Sequence, residues 1–220
     1  ADAILIEEAK AMWHLRHFGI PAARTVMRHD DGSLMLVMSF IPGPTLAQIV
    51  EKHGRLDAEH VAWISQRILN VLVYLHVHGV IHGDLKPQNV IVQPDTHTVV
   101  LVDFGLSSVK PTRGTKSKGF TDVFAPPEQL SGGTLIPESD IYSLGMTMLH
   151  ALCGGDLDRV KDLEVPSDVP EPLCRFIKRL VAEDPLARPK DAGELFAEIQ
   201  TVREKAFGRS QSGMKPLPMV

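Results

Sequence analysis

The chain has 220 residues, 44% of them hydrophobic, and a formal net charge of −4, enough apolar material for one large core or two small ones. Its Lys and Arg residues are spread along the chain, which argues against a nucleic-acid footprint. No apolar run has the length of a membrane span, and the first residues lack a secretion-signal pattern.

Residues 3–17 predict a helix with Ile4, Glu8, Ala11, Met12 and Leu15 on one face. The chain enters this helix at once from Ala1, with no initiating Met, so an upstream part is expected to be missing. Two short strands follow at 24–28 and 34–38, joined by Asp30-Asp31-Gly32. The stretch "SFIPGPTL" from Ser39 reads as a hinge, over residues 39–44, between two bodies of structure. Beyond it the pattern becomes helical, at 45–53 and at 57–78, where Val61, Ile64, Ile68, Leu72 and Leu75 share a register. Residues 139–153 are apolar nearly all round and predict a central buried helix. Helices at 171–183 and 191–206 follow, then a tail or linker over 208–220. Cys153 and Cys174 lie in apolar helical stretches and read as two buried thiols in a reducing compartment, hence a cytoplasmic protein.

The stretch "HGDLKPQNVIV", residues 82–92, places Asp84, Lys86 and Asn89 at the mouth of an apolar strand. Val90–Val92 and Val99–Val102 predict an antiparallel hairpin, which brings Asn89 and Asp103 together at its open end with Asp84 close by. Two oxygen donors beside water suit Mg²⁺, which shares few protein ligands with substrate phosphates. Polar capping of an ordinary hairpin is the plain alternative.

"HGDLKPQN" (82–89), "DFG" (103–105), "APPE" (125–128), "DIYSLG" (140–145) and "DPLARP" (184–189) occur in the order found in protein kinases, which the chain resembles from residue 3 to about 206. The resemblance implies an α+β kinase fold: a partial β-rich lobe at 1–38, the hinge, and a mainly helical lobe at 45–207 carrying the catalytic hairpin. It implies that Asp84 accepts the acceptor hydroxyl's proton, that Lys86 steadies the γ-phosphate of ATP, and that Asn89 and Asp103 bind Mg²⁺. Met38 resembles the gatekeeper, Ser39 and Ile41 the backbone that meets adenine, and Ile91 the floor beneath it. Glu8 resembles the C-helix glutamate, whose usual partner is a lysine on an upstream strand; no lysine precedes it. Glu128 and Arg188 resemble a buried ion pair, and Asp140 the carboxylate that holds the catalytic loop, with helix capping as its plain alternative. Lys86 two residues after Asp84, and Thr121 seven before Glu128, match the serine/threonine branch, whose substrates are protein hydroxyls.

The sequence departs from the family pattern in four places. The glycine-rich loop and its following lysine are absent from these residues, Gly83 stands where arginine is usual, "GFTDVF" is an irregular approach to "APPE", and the stretch 154–170 is short. The activation segment, between "DFG" and "APPE", carries Lys110, Arg113, Lys116 and Lys118, with Thr112, Thr115, Ser117 and Thr121 as candidate phosphoacceptors. Without an arginine at position 83, activity is expected to couple weakly to their phosphorylation. A serine/threonine kinase domain is the leading reading. A pseudokinase scaffold and an aminoglycoside-type small-molecule phosphotransferase are its competitors.

Overall fold

The computed structural model describes residues 2–208 except Pro94, Arg113, Gly114, Lys116, Ser117, Phe120 and Asp122, and not the side chains of residues 2–4. The expected tail beyond Gly208, the acceptor Ser117, the cations Arg113 and Lys116, the approach residues Phe120 and Asp122, and the Ile4 side chain thus lie outside the described residues.

The chain begins with α1 (Asp2–Met12), β1 (Ala23–Arg28) and β2 (Leu34–Met38). α1 stops at Met12, short of the expected residue 17, because a distant residue takes over its ladder. The Tyr74 hydroxyl accepts from the Arg16 amide at 2.7 Å, and the Arg16 guanidinium donates to the Trp13 and Leu15 carbonyls. Leu15 is still buried, beside Met12 and Ala11. β1 and β2 pair antiparallel from Ala23↔Met38 to Arg28↔Leu34, with a register shift between Ala23 and Thr25. Val26, Met27, Met35 and Val37 of this ribbon are exposed.

Across the hinge come α2 (Leu46–His53) and α3 (Ala58–Val77). Thr45 and Gln48 form a capping box on α2, and the Asp57 carboxylate accepts from the Glu59 amide at the start of α3. Val61, Ile64, Ile68, Leu72 and Leu75 are all buried, as their spacing predicts. β3 (Val80–Ile81) leads into the catalytic loop, and β4 (Val90–Gln93) pairs with β5 (Thr98–Leu101) in the expected hairpin register. β6 (Ser108–Val109) pairs back onto β3. This two-residue ladder carries no sequence pattern of its own.

α4 (Pro127–Leu130), α5 (Pro137–Leu152), α6 (Leu157–Lys161), α7 (Glu171–Leu180) and α8 (Ala192–Phe207) complete the chain. α5 is buried on every side from Ser139 to Leu152. α6 was not expected; it is started by Asp156, whose carboxylate accepts from the Asp158 and Arg159 amides. α7 ends three residues before the expected position 183, and the Ala182 and Glu183 carbonyls instead accept from Arg188. Leu195, Ile199 and Val202 of α8 are buried in the same core as α3, and the Arg203 guanidinium donates to Gln66 of α3. Cys153 is buried as expected, whereas Cys174 is half-buried; both are free thiols. No described helix is long and apolar enough to cross a membrane.

Candidate active site

The catalytic loop is hung from α5. The buried Asp140 carboxylate accepts from the His82 and Gly83 amides at 2.9 Å each, and sits 2.9 Å from His76 Nε2. Burial alone would raise the Asp140 pKa, but the hydrogen bond and charge of His76, with His82 and the Gly83 amide, hold it below the usual carboxylate range. Asp140 lies inside α5, which begins at Pro137, and the capping contact is made by Ser139 Oγ on the Ile136 amide. The capping alternative for Asp140 therefore fails. His82 is itself fully buried, packed on Phe104 with ring centroids 4.9 Å apart.

Asp84 follows at the centre of a closed polar network. Lys86 Nζ donates to Asp84 Oδ2 at 2.6 Å and to Thr121 Oγ1 at 2.8 Å, and the Thr121 hydroxyl donates to Asp84 Oδ1 at 2.9 Å. Asn89 Nδ2 donates to the Asp84 carbonyl and to Asp84 Oδ2, at 2.9 and 3.2 Å. Three residues, up to 37 positions away in the chain, thus converge on one carboxylate that is 7% exposed.

The Val102 amide donates to the Asn89 carbonyl, so Asn89 stands across from Val102 and one residue from Asp103. Asp103 is exposed, in the left-handed region at φ 65°. Asn89 spends its amide nitrogen on Asp84, which leaves its oxygen, and the Asp103 carboxylate is open to solvent. Two hard oxygen donors beside water fit a small divalent cation whose remaining positions go to water and phosphate. Among the described residues no group of three His, Cys, Asp or Glu side chains gathers to bind a metal by itself. Glu8 reaches the same region: its Oε1 accepts from the Phe104 amide at 3.3 Å. Burial raises its pKa, and nearby Asp103 adds to that, against the Phe104 amide.

Of the four residues expected around adenine, Met38, Ser39 and Ile41 lie at or beside the hinge and Ile91 lies on β4. Met38 ends β2, and the Ser39 amide donates to the Ala22 carbonyl, so the Ser39 amide is already used. β4 turns Val90 and Val92 into the core and Ile91 to the other face, where it bridges to Thr45. The hinge approaches closely here. Gly43 has φ 124°, and a Cβ on it would lie 2.7 Å from the Val92 carbonyl oxygen.

Beneath the activation segment, Arg188 donates to both oxygens of Glu128, at 2.8 and 2.9 Å, and its guanidinium is 4.8 Å from the Tyr142 ring centroid. Ser139 Oγ also donates to Glu128. Burial pushes the Glu128 pKa up, but the hydrogen bonds from Arg188, a backbone amide and Ser139, with the charge of Arg188, together outweigh it and the net shift is downward. Two residues near the site had no reading in the sequence. His76 is the partner of Asp140, and Gln129 is a buried amide directly after "APPE". Nothing in the sequence around either residue marks it out.

A model described as the protein kinase domain matches residues 1–199. The chain belongs to the protein kinase family. It is 33% identical to serine/threonine-protein kinase F of Synechocystis, over 77% of this chain and 37% of that protein. It is 30% identical to serine/threonine-protein kinase pkn3 of Myxococcus xanthus, over 89% and 41%. It is 31% identical to the probable serine/threonine-protein kinase PknB of Lactococcus lactis, over 88% and 34%. The chain therefore spans less than half the length of each of these three relatives.

The α+β kinase fold expected from the motifs is thereby established for this domain. Members of the family use ATP, typically with Mg²⁺, and act on proteins.

Proposed function

We propose that the protein transfers the γ-phosphoryl group of ATP to serine or threonine hydroxyls of protein substrates, with Asp84 as the base. The observation that carries this reading is the Asp84–Lys86–Thr121 network, in which one carboxylate is held by a cation and a hydroxyl. In that setting Asp84 orients an acceptor hydroxyl for in-line attack and takes its proton as the new P–O bond forms. Lys86, already at the carboxylate, offsets charge on the transferring phosphoryl group. Asn89 and Asp103 would hold Mg²⁺, which supplies charge neutralisation on the phosphate oxygens when bound. Adenine would meet the Ser39 carbonyl and Ile41 amide, with Met38 limiting the back of the pocket and Ile91 beneath.

Residues 1–38 act in this reading as part of the β-rich lobe, 39–44 as the hinge and 45–207 as the helical lobe. Two free thiols accord with a cytoplasmic location. A nucleotide-binding scaffold without turnover is the second reading. Glu8 favours it, since among the described residues it meets a backbone amide and not a lysine. Transfer of labelled phosphate from ATP to a generic basic protein, by the full-length protein and its Asp84→Asn variant, separates the two. Transfer lost in Asp84→Asn supports the enzyme; binding of Mg²⁺-ATP with no transfer by the wild type supports the scaffold.

A further inference from the structure

Gln129 is 2% exposed and sits on α4, a helix of four residues whose neighbouring Glu128 is locked to Arg188. Its Nε2 donates to the Gly83 carbonyl at 2.9 Å and to the Gly119 carbonyl at 2.7 Å. Two carbonyl oxygens can be met only by the nitrogen of the amide, so the network itself fixes its orientation, and both N–H groups are used. The two carbonyls belong to different parts of the site. Gly83 precedes Asp84, and its amide is held from the other side by Asp140. Gly119 lies two residues before Thr121, whose hydroxyl bonds Asp84. One side-chain nitrogen therefore closes a ring that runs from Asp84 through Gly83, Gln129, Gly119 and Thr121 back to Asp84.

The position next to Asp84 cannot supply this link by a charged side chain. Gly83 has φ 76°, and a Cβ there would lie 2.9 Å from Leu135 Cδ1 and 3.0 Å from the Leu106 carbonyl oxygen. A residue with a side chain would be strained by its backbone and crowded by its neighbours. A phosphate on the activation segment, residues 103–128, thus has no cation at position 83 to draw it to the catalytic loop. Gln129 makes a neutral, permanent connection between the same two pieces of chain.

We infer that Gln129 is a positioning residue: its amide holds the activation segment on the catalytic loop in the unphosphorylated protein, so that Asp84 and Thr121 are aligned without a phosphate. This rests on the kinase reading above. It gives that site its regulation: a baseline rate set by an uncharged side chain in place of a phosphorylation event.

The test uses the full-length protein after complete phosphatase treatment, checked by mass spectrometry. Gln129→Met keeps the volume and loses both donors, and should lower kcat about tenfold or more, at least ~1.4 kcal/mol, with KM for ATP nearly unchanged. Amide exchange around Gly119 and Thr121 should quicken in the same sample. Gln129→Glu has no donor when ionised and one when protonated. Its rate relative to wild type should therefore recover as the buffer is taken from about pH 8 to about pH 6, and that of Gln129→Met should not. A merely structural role would give no such difference between the two variants, and Gln129→Glu keeps the test open should Gln129→Met fail to fold. An unchanged kcat in Gln129→Met, or a fall in kcat matched by an equal loss of ATP affinity, overturns the inference. If the wild type transfers no phosphate, the kinase reading fails and exchange alone decides: faster in Gln129→Met supports the tie, unchanged overturns it.

Discussion

Arg188→Met removes a guanidinium whose five N–H donors all have acceptors: the Ala182 carbonyl on Nε, Glu128 and the Glu138 carbonyl on Nη1, Glu128 and the Glu183 carbonyl on Nη2. The Arg188 side chain is fully buried and Glu128 largely so. Breaking such a pair from one side leaves an uncompensated carboxylate, at a cost of about 3–5 kcal/mol. The three abandoned carbonyls push the loss toward the upper end. With an m-value of about 2 kcal/mol/M in urea, a loss of about 4 kcal/mol moves the midpoint by roughly 2 M. Fluorescence of the buried Trp63 on α3 reports the transition. Glu128→Met in the Arg188→Met background should restore about 1–3 kcal/mol, because the stranded charge is gone. The pair also has a pH signature. Glu128 is held below its ordinary value, so its contribution is present above that value and is lost as pH falls through the lower folded one. The acid limb of the stability profile should accordingly be shallower in Arg188→Met. A midpoint shift under about 0.5 M at unchanged m, or no recovery in the double variant, refutes the reasoning.

Asp84→Asn should lower the phosphoryl-transfer rate by about 10²–10⁴-fold with ATP affinity nearly unchanged, while Asp103→Ala should abolish Mg²⁺-dependent ATP binding; calorimetry beside a rate assay checks both. Glu8→Gln should be neutral or stabilising in the 220-residue chain, since burial raises the Glu8 pKa and its penalty is relieved as pH falls through that raised value toward the unfolded one. Melting curves at neutral and mildly acidic pH test this, and a clear loss at neutral pH would mean that Glu8 has a cationic partner. Dephosphorylation of the activation segment should change the full-length protein's rate by less than about tenfold; a hundredfold fall would reveal a phosphate-dependent link that Gln129 does not supply.

Much of this structure was legible where a residue's fate depends on its sequence neighbours. The α3 spacing of Val61, Ile64, Ile68, Leu72 and Leu75 foretold a buried stripe, and the β4–β5 hairpin followed from two apolar runs and a turn. The motifs gave the family, and the hairpin argument placed Asn89 close to Asp84, whereas the bonds of Thr121 to Asp84 and Lys86 had no sequence signal. What stayed illegible depends on distant partners. The end of α1 is set by Tyr74, 58 residues away, which intercepts the Arg16 amide. The end of α7 is tied to Arg188, which draws the Ala182 and Glu183 carbonyls out of the helix. β3 and β6 are too short to show periodicity, and only the fold brings Val80 beside Val109. Gln129 and His76 look like ordinary surface polar residues in sequence; their importance lies in which carbonyl or carboxylate each meets.

The packing of α8 on α3 also sets a timetable for biosynthesis. Gln66 on α3 and its partner Arg203 on α8 are 137 residues apart. At about 5–20 residues per second, a ribosome needs roughly 7–27 s to make the second after the first. Throughout that interval the face of α3 that α8 will cover stays open on the nascent chain, and release from the exit tunnel delays it further. The helical lobe therefore closes only near the end of its synthesis, when α8 reaches the face of α3 around Gln66.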